Sequence, residues 1–322
     1  MKRFVLSVLA LALLPLPAIA AENAFPTRPI RLIVGYPPGG STDIAARLVG
    51  QKLGPVFGQT IVIDNRAGAS GTIGAGIVMR AEADGYTLSF AASPEVAIYR
   101  ALMKSPPYDS LKDFQPITQV GRVPFMLVVH PSVAAGTVKE LIALAKAKPG
   151  ALNFASFGNG TSNHLVGEAF RATTGINIVH IPYKGSAPAM ADLLGGQVQM
   201  AFDTIPVVLP QVRAGKLKAL AVATPKRSPL ASDVPTMDEA GVAGFAGGTW
   251  FGILAPAKTP PAIVDRLAKE VGTILRTPDV AQTLNERGIE PVGNTPAEFR
   301  AFIDAETRRW LKVAQGAGIN PE

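Results

Sequence analysis

The sequence predicts an α/β protein of two lobes, with mainly parallel sheets and a ligand cleft between the lobes. Three observations lead there. Short apolar segments alternate with helical ones, the pattern of successive βαβ units. The chain passes from one such unit to a second and back again with no low-complexity tract or long linker between them. Its 322 residues are too many for one small core and suit two domains of ordinary size. The expected division is a leader over 1–20, one lobe from 21–124 and 224–322, and the other from 125–223. The crossovers are expected near Val123–Phe125 and Ala223–Pro225.

In the first half, Ile30–Gly35 reads as a strand and Ser41–Leu53 as a helix, from the spacing of Ile44, Leu48 and Val49. Thr60–Asp64 is a second strand, followed by a glycine-rich turn and a helix through Met79, and Tyr86–Ala91 is a third. Pro124–His130 reads as a strand and Val138–Ala147 as a helix opened by Thr137. The second half repeats the order: strand Leu152–Ala155, helix Ser162–Thr173, strand Ile178–Ile181, helix Ala187–Leu194, strand Val198–Phe202 and strand Leu217–Ala223. Two helices, Pro261–Leu275 and Pro296–Gly316, close the chain, each with proline in its first turn, where its missing N–H costs nothing.

The leader has the composition of a secretory signal peptide. Lys2 and Arg3 precede the apolar run Phe4–Leu14, Pro15 and Pro17 break it, and Ala18-Ile19-Ala20 supplies small residues for cleavage. Membrane spanning needs roughly twenty apolar residues, so this run is too short to be an anchor, and no membrane insertion is expected. The absence of cysteine removes disulfides, thiolate metal sites, thiol nucleophiles and the attachment point of a bacterial lipid anchor. The formal charge is +7, to which Lys2 and Arg3 contribute, yet the remaining cations are scattered singly and only 7% of residues are aromatic. That distribution excludes a nucleic-acid surface and fits steering of small anions.

Two loops carry the binding chemistry. In Gly35-Tyr36-Pro37-Pro38-Gly39-Gly40-Ser41-Thr42-Asp43, a strand ends, glycines admit close backbone approach, prolines stiffen the turn and a helix begins. Free N–H groups at the helix start, with the macrodipole, make an anion site to which Ser41 or Thr42 adds a hydroxyl. No lysine follows the glycines, so this is not a nucleotide phosphate loop. Asp43 is expected to cap the first turn. The second loop, Ser156-Phe157-Gly158-Asn159-Gly160-Thr161-Ser162-Asn163-His164, repeats the design, with His164 in a positioning or core role. One loop per lobe would anchor both ends of a dicarboxylate. The stretch Asp64–Ala75 lacks the G-x-G-x-x-G spacing and reads as close packing of a helix start. Asp203 stands where a strand meets the ligand edge of its sheet, as a ligand-side carboxylate or a cap. The three histidines stand apart with no HExxH pattern, and no Gly-x-Ser-x-Gly elbow is present. No catalytic residue, metal or cofactor is therefore expected.

The chain resembles the Bug receptors, the substrate-binding proteins of tripartite tricarboxylate transporters. The resemblance lies in Tyr36–Asp43, Asp64–Ala75, Asp84–Leu88, Ser156–Leu165, Tyr183–Met190, Gly195–Met200 and Asp233–Thr236, in order over nearly the whole mature chain. It implies a two-lobed periplasmic binding protein of the Venus-flytrap kind, type II-like. It also implies a small carboxylate ligand: a di- or tricarboxylate, an acidic amino acid or an aromatic acid. Carried over, the ligand residues are Tyr36, Pro38, Gly39, Ser41, Thr42, Gly158, Gly160, Thr161, Ser162 and His164, with Asp203 nearby. The chain departs from the common pattern at Ser41-Thr42, where many relatives have Pro or Gly before Thr, and at Tyr36, where Phe is common. The expected protein is a monomer of the periplasm, free of the membrane, that hands its ligand to integral-membrane transporter subunits. The rival expectations are a sensor feeding a signalling receptor and a periplasmic hydrolase or transferase.

Overall fold

The computed structural model describes residues 25–316 together with 318 and 319; the leader segment 1–20 lies outside them. In order, the elements are β1 (Ile30–Val34), α1 (Ser41–Phe57), β2 (Ile61–Asn65), α2 (Thr72–Met79), β3 (Thr87–Ala92), a π-turn (Pro94–Ile98), α3 (Tyr99–Leu102) and β4 (Phe114–Val129). Then come α4 (Val138–Ala147), β5 (Asn153–Ser156), α5 (Ser162–Thr174), β6 (Val179–Pro182), α6 (Ser186–Leu194), β7 (Met200–Thr204), α7 (Ile205–Arg213) and β8 (Lys218–Val222). The last are β9 (Gly248–Pro256), α8 (Pro261–Leu275), α9 (Pro278–Glu286), β10 (Glu290–Pro291) and α10 (Pro296–Gly316).

The helix ends follow local chemistry. α1 and α5 stop at glycines in the left-handed region, Gly58 and Gly175. α4 opens on a reciprocal capping box, Thr137 accepting from the Glu140 N–H and Glu140 accepting from the Thr137 N–H. The expected parallel pairing is found in two outer sets of three strands, β2-β1-β3 and β7-β5-β6. Between them the pairing is antiparallel: β9 joins β3 to β4, and β4 also pairs β7, β8 and the short β10. The sheet is therefore mixed, because the joining strands arrive from outside any βαβ unit.

β4 is the spine. Its first part pairs with β9 as far as Pro124↔Gly248, and from Phe125 onwards it pairs with β7. The sequence showed only the second part, since Pro116, Gly121 and Pro124 interrupt the strand pattern. Register shifts between Pro116 and Thr118 and between Gln119 and Gly121 absorb the irregularity. At the crossing, the Phe125 N–H donates to Gly247 O, Gly247 N–H to Ala223 O and Ala223 N–H to Phe125 O. Segment 224–247 packs on the second half, with Ala231 and Val234 beside β8 neighbours and Phe245 against Phe170 and Phe202. The chain thus returns to the first sheet at Gly247–Gly248. A Cβ on Gly248 would lie 2.5 Å from Val123 O, so only glycine lets the two strands pass so closely. β9, α3, α7 and α9 were not read from the sequence. Gly248, Gly252 and Pro256 disguise β9, Pro206 and Pro210 disguise α7, and the hydrophilic α9 shows only Val280 and Leu284 as buried apolar residues.

Candidate functional site

Both predicted loops follow the central strand of a parallel trio: β1 lies between β2 and β3, and β5 between β6 and β7. That is where neighbouring crossovers diverge and a crevice opens beyond the strand ends. The first loop is exposed from Pro37 to Ser41, so Pro38, Gly39 and Ser41 face outward, whereas Thr42 and Asp43 are buried. Gly40, not Ser41 or Thr42, occupies the cap position of α1, and no side chain caps that start. The first helical bond comes from Ile44 N–H to Gly40 O, so the preceding N–H groups have no intrahelical acceptor. Asp43 braces the loop from beneath. It accepts from the Gly39 N–H and Arg47 Nε at 2.9 Å on one oxygen and from Asn65 Nδ2 at 2.9 Å on the other. Asn65 Nδ2 also donates to Tyr36 O at 3.0 Å. Burial opposes ionisation of Asp43, but these bonds outweigh it and hold its carboxyl below the ordinary range.

The second loop is built alike. Thr161 is the cap residue of α5, but its hydroxyl does not cap; it donates back to Gly158 O at 2.6 Å. His164 is buried and its Nδ1 accepts from the Gly160 N–H at 3.3 Å, which is a positioning contact. Its ring stacks on His180 at 4.0 Å between centroids, and His180 Nε2 lies 2.5 Å from Ser156 Oγ. Burial lowers the His164 pKa to about 4, and burial with the neighbouring His164 lowers that of His180 to about 3. Neither ring is a cation at neutral pH. Asn163, fully buried, turns its Oδ1 towards the Phe157 N–H at 3.5 Å, and its Nδ2 has no partner among the described residues.

The two loops meet through segment 68–71. Tyr36 Oη lies 3.2 Å from Ser70 O. A Cβ on Gly160 would come 3.0 Å from Leu102 Cδ1 and 4.0 Å from Ser70 Oγ. Ala69 and Ser70 have φ of +46° and +50°, a conformation that costs L-residues energy and clusters at ligand sites. Beside them, Ser162 Oγ lies 2.8 Å from Ser93 Oγ, which lies 3.0 Å from Thr249 Oγ1. This buried hydroxyl chain ties the start of α5 to β3 and β9. Asp203 lies within β7 rather than beyond it, opposite Met126 of β4, and is buried. Its Oδ1 accepts from the Thr204 N–H at 2.6 Å. Burial pushes its pKa up to about 7, against the bonds from Thr204 and Ser186. The structure thus joins Tyr36, Gly160 and Ser162 through residues outside the expected ligand set: Ser70, within Asp64–Ala75, and Ser93 and Glu95. The signal for the last two was the end of a third parallel strand, where Ser93-Pro94-Glu95 follows β3. The stretch Asp64–Ala75 does pack closely, with a Cβ on Gly35 only 2.7 Å from Gly71 Cα. Among the described residues no group of three or more His, Asp or Glu side chains could hold a metal, and no helix is long and apolar enough to cross a membrane.

Residues 45–319 match the family model for the tripartite tricarboxylate transporter family receptor. The chain is 41% identical to protein BugT of Bordetella pertussis over 302 residues, 94% of this chain and 93% of that one. Among solved structures it is similar to an R. palustris protein with adipate, at 40% identity and TM-score 0.85, covering 92% of this chain and 100% of that one. It is also similar to MatC from Rhodopseudomonas palustris with bound malate, at 32% identity and TM-score 0.80, covering 90% and 99%. Fold, loop design and sequence agree, and the chain belongs to the Bug group of tripartite tricarboxylate transporter receptors.

Proposed function

We propose that this chain is a periplasmic receptor that reversibly captures a small carboxylate between its two sheets and passes it to membrane subunits of a tripartite tricarboxylate transporter. The observation that carries the reading is the pair of glycine turns, each leaving a helix start without a side-chain cap, brought together through Tyr36, Ser70 and Gly160. Unsatisfied N–H groups at two helix starts favour an anion at each end of the ligand. With both histidines neutral, hydrogen bonds from the backbone N–H groups and hydroxyls of the two loops serve for recognition. Adipate and malate, bound by two relatives, are the first acids to test. The lobes would be 25–124 with 248–319, and 125–247, hinged where β4 and β9 cross.

Calorimetry with a panel of carboxylates, followed by mass analysis of the recovered solute, tests the reading. One acid should bind reversibly and return unchanged; catalytic conversion would make the chain an enzyme. Ser41→Ala should weaken that acid about ten- to hundredfold, the equivalent of one hydroxyl bond to a charged acceptor. The melting temperature without ligand should stay unchanged, because Ser41 makes no capping bond. Unaltered affinity would remove Ser41 from the site.

A further inference from the structure

Glu95 lies beneath the first loop, in the π-turn after β3, and is buried. π-turns are rare and recur at functional sites. Its carboxyl group touches three things. Oε1 accepts from the Ala92 N–H at 2.7 Å, and Oε2 lies 2.5 Å from Tyr36 Oη. The carboxyl also fills the space above Gly71, whose φ is +94° and whose Cβ, if present, would lie 2.6 Å from Glu95 Cδ. Tyr36 has a single hydroxyl hydrogen, yet its Oη faces two acceptors, Glu95 Oε2 and Ser70 O. With an ionised Glu95, those two oxygens compete for one proton. With a protonated Glu95, each link has its own: Glu95 donates to Tyr36, and Tyr36 donates to Ser70 O.

We propose that Glu95 is a positioning residue of the ligand site that works as a neutral acid, holding Tyr36 and segment 68–71 in place and keeping negative charge from beneath the bound anion. The proposal rests on the carboxylate-receptor reading above. The titratable groups facing Glu95 are Tyr36, from the loop after β1, and Tyr108, whose Oη donates to the Glu95 backbone carbonyl at 2.6 Å. Burial and the nearby Glu95 push both phenols above their ordinary values, so both stay protonated. Burial raises the Glu95 carboxyl to about 8 despite the bonds from Tyr36 and Ala92. Loss of its proton should therefore occur within a testable range.

The test compares the mature protein with Glu95→Gln between pH 6.5 and 9.5, in two measurements. Infrared spectra without ligand, taken as wild type minus variant so that the Asp203 acid common to both cancels, should show a carboxylic-acid band that disappears around pH 8. Calorimetry with adipate, fully ionised throughout this range, gives the second readout. Asp203 titrates in the same range, but in both proteins, so the ratio of their affinities isolates Glu95. That ratio should be steady at the acid end and shift at least tenfold against the wild type by pH 9.5. Should Glu95→Gln not fold, Tyr36→Phe carries the test. Tyr36 bonds either form of Glu95, but its bond to the carboxylate is the stronger, charge-assisted one, so its removal should move the midpoint of affinity loss to higher pH. An acid band missing at pH 6.5, a constant ratio, or an unmoved midpoint in Tyr36→Phe would overturn the proposal. If neither adipate nor any other acid of the carboxylate panel binds at any pH while the band is present, the carboxylate reading fails instead, and with it the role of Glu95 in binding.

Discussion

At the scale of single residues, two side chains stand out because their polar atoms are buried without partners. Gln119 on β4 is fully buried, and neither its Oε1 nor its Nε2 has a partner among the described residues. Its backbone is fully used: the N–H donates to Asn294 Oδ1 at 2.8 Å and the carbonyl accepts from Gly293 N. A buried unsatisfied amide costs about 1–3 kcal/mol, and methionine has similar length and adapts to an irregular space. Gln119→Met should therefore raise stability by about 1–3 kcal/mol, read as a higher urea midpoint with unchanged slope. A lower midpoint would show that the amide is satisfied in solution. Asn163 is different. It stands at the start of α5, its Oδ1 turned to the Phe157 N–H of the second glycine loop, whereas Gln119 lies within a strand of the sheet.

At the scale of elements, the first turn of α5 is held by stacked rings rather than by a cap. Phe154, His180 and His164 form one stack, with centroid spacings of 4.9 and 4.0 Å. His164 in turn holds the Gly160 N–H. Both histidine pKa values are lowered by burial from the ordinary 6.5, to about 4 and about 3. Their contribution to stability is thus complete above the unfolded value and lost as the pH falls towards the folded values. The urea midpoint should drop between pH 6.5 and 3. His180→Phe keeps an aromatic ring in the stack and removes one ionisation, so its midpoint should fall less steeply than the wild type's over the same interval. An equal slope would mean that other groups govern acid unfolding. Glu95 acts at the opposite end: its pKa is raised from 4.5 to about 8, so its contribution is complete below 4.5 and lost as the pH rises through 8.

For the whole molecule, the proposed hinge rests on few strands. β4 runs unbroken through both sheets, and β9 meets it at the Gly248 crossing. α10 packs across the divide, its Phe299 against Trp250 of the first sheet, while its Trp310 joins the core cluster that also holds Phe170 and Phe202. Ser162, Ser93 and Thr249 add a hydroxyl link between the sheets. If the acid bridges the two loops, binding should draw the lobes together about this spine. Small-angle scattering should then give a smaller radius of gyration at saturating ligand. An unchanged radius at full occupancy would show that the ligand enters a cleft already formed.

The sequence by itself determined the local matters. Helix starts, glycine stops and the two strand–glycine–helix loops depend on neighbouring residues. The sequence therefore showed Val138–Ala147, Pro261–Leu275 and Pro296–Gly316 at their observed bounds, and placed both glycine loops after strands. The family was legible for the same reason, since its motifs are those loops. The tertiary structure decided what depends on long-range pairing. It placed β9 between β3 and β4, where glycines and a proline obscure the strand pattern. It also set the close crossing of β4 and β9 at Gly247–Gly248. Only folding brought Glu95 against Tyr36, fifty-nine positions away, and Ser93 against Ser162. A carboxyl group becomes a neutral acid through burial, and burial belongs to the packed molecule rather than to any stretch of its sequence.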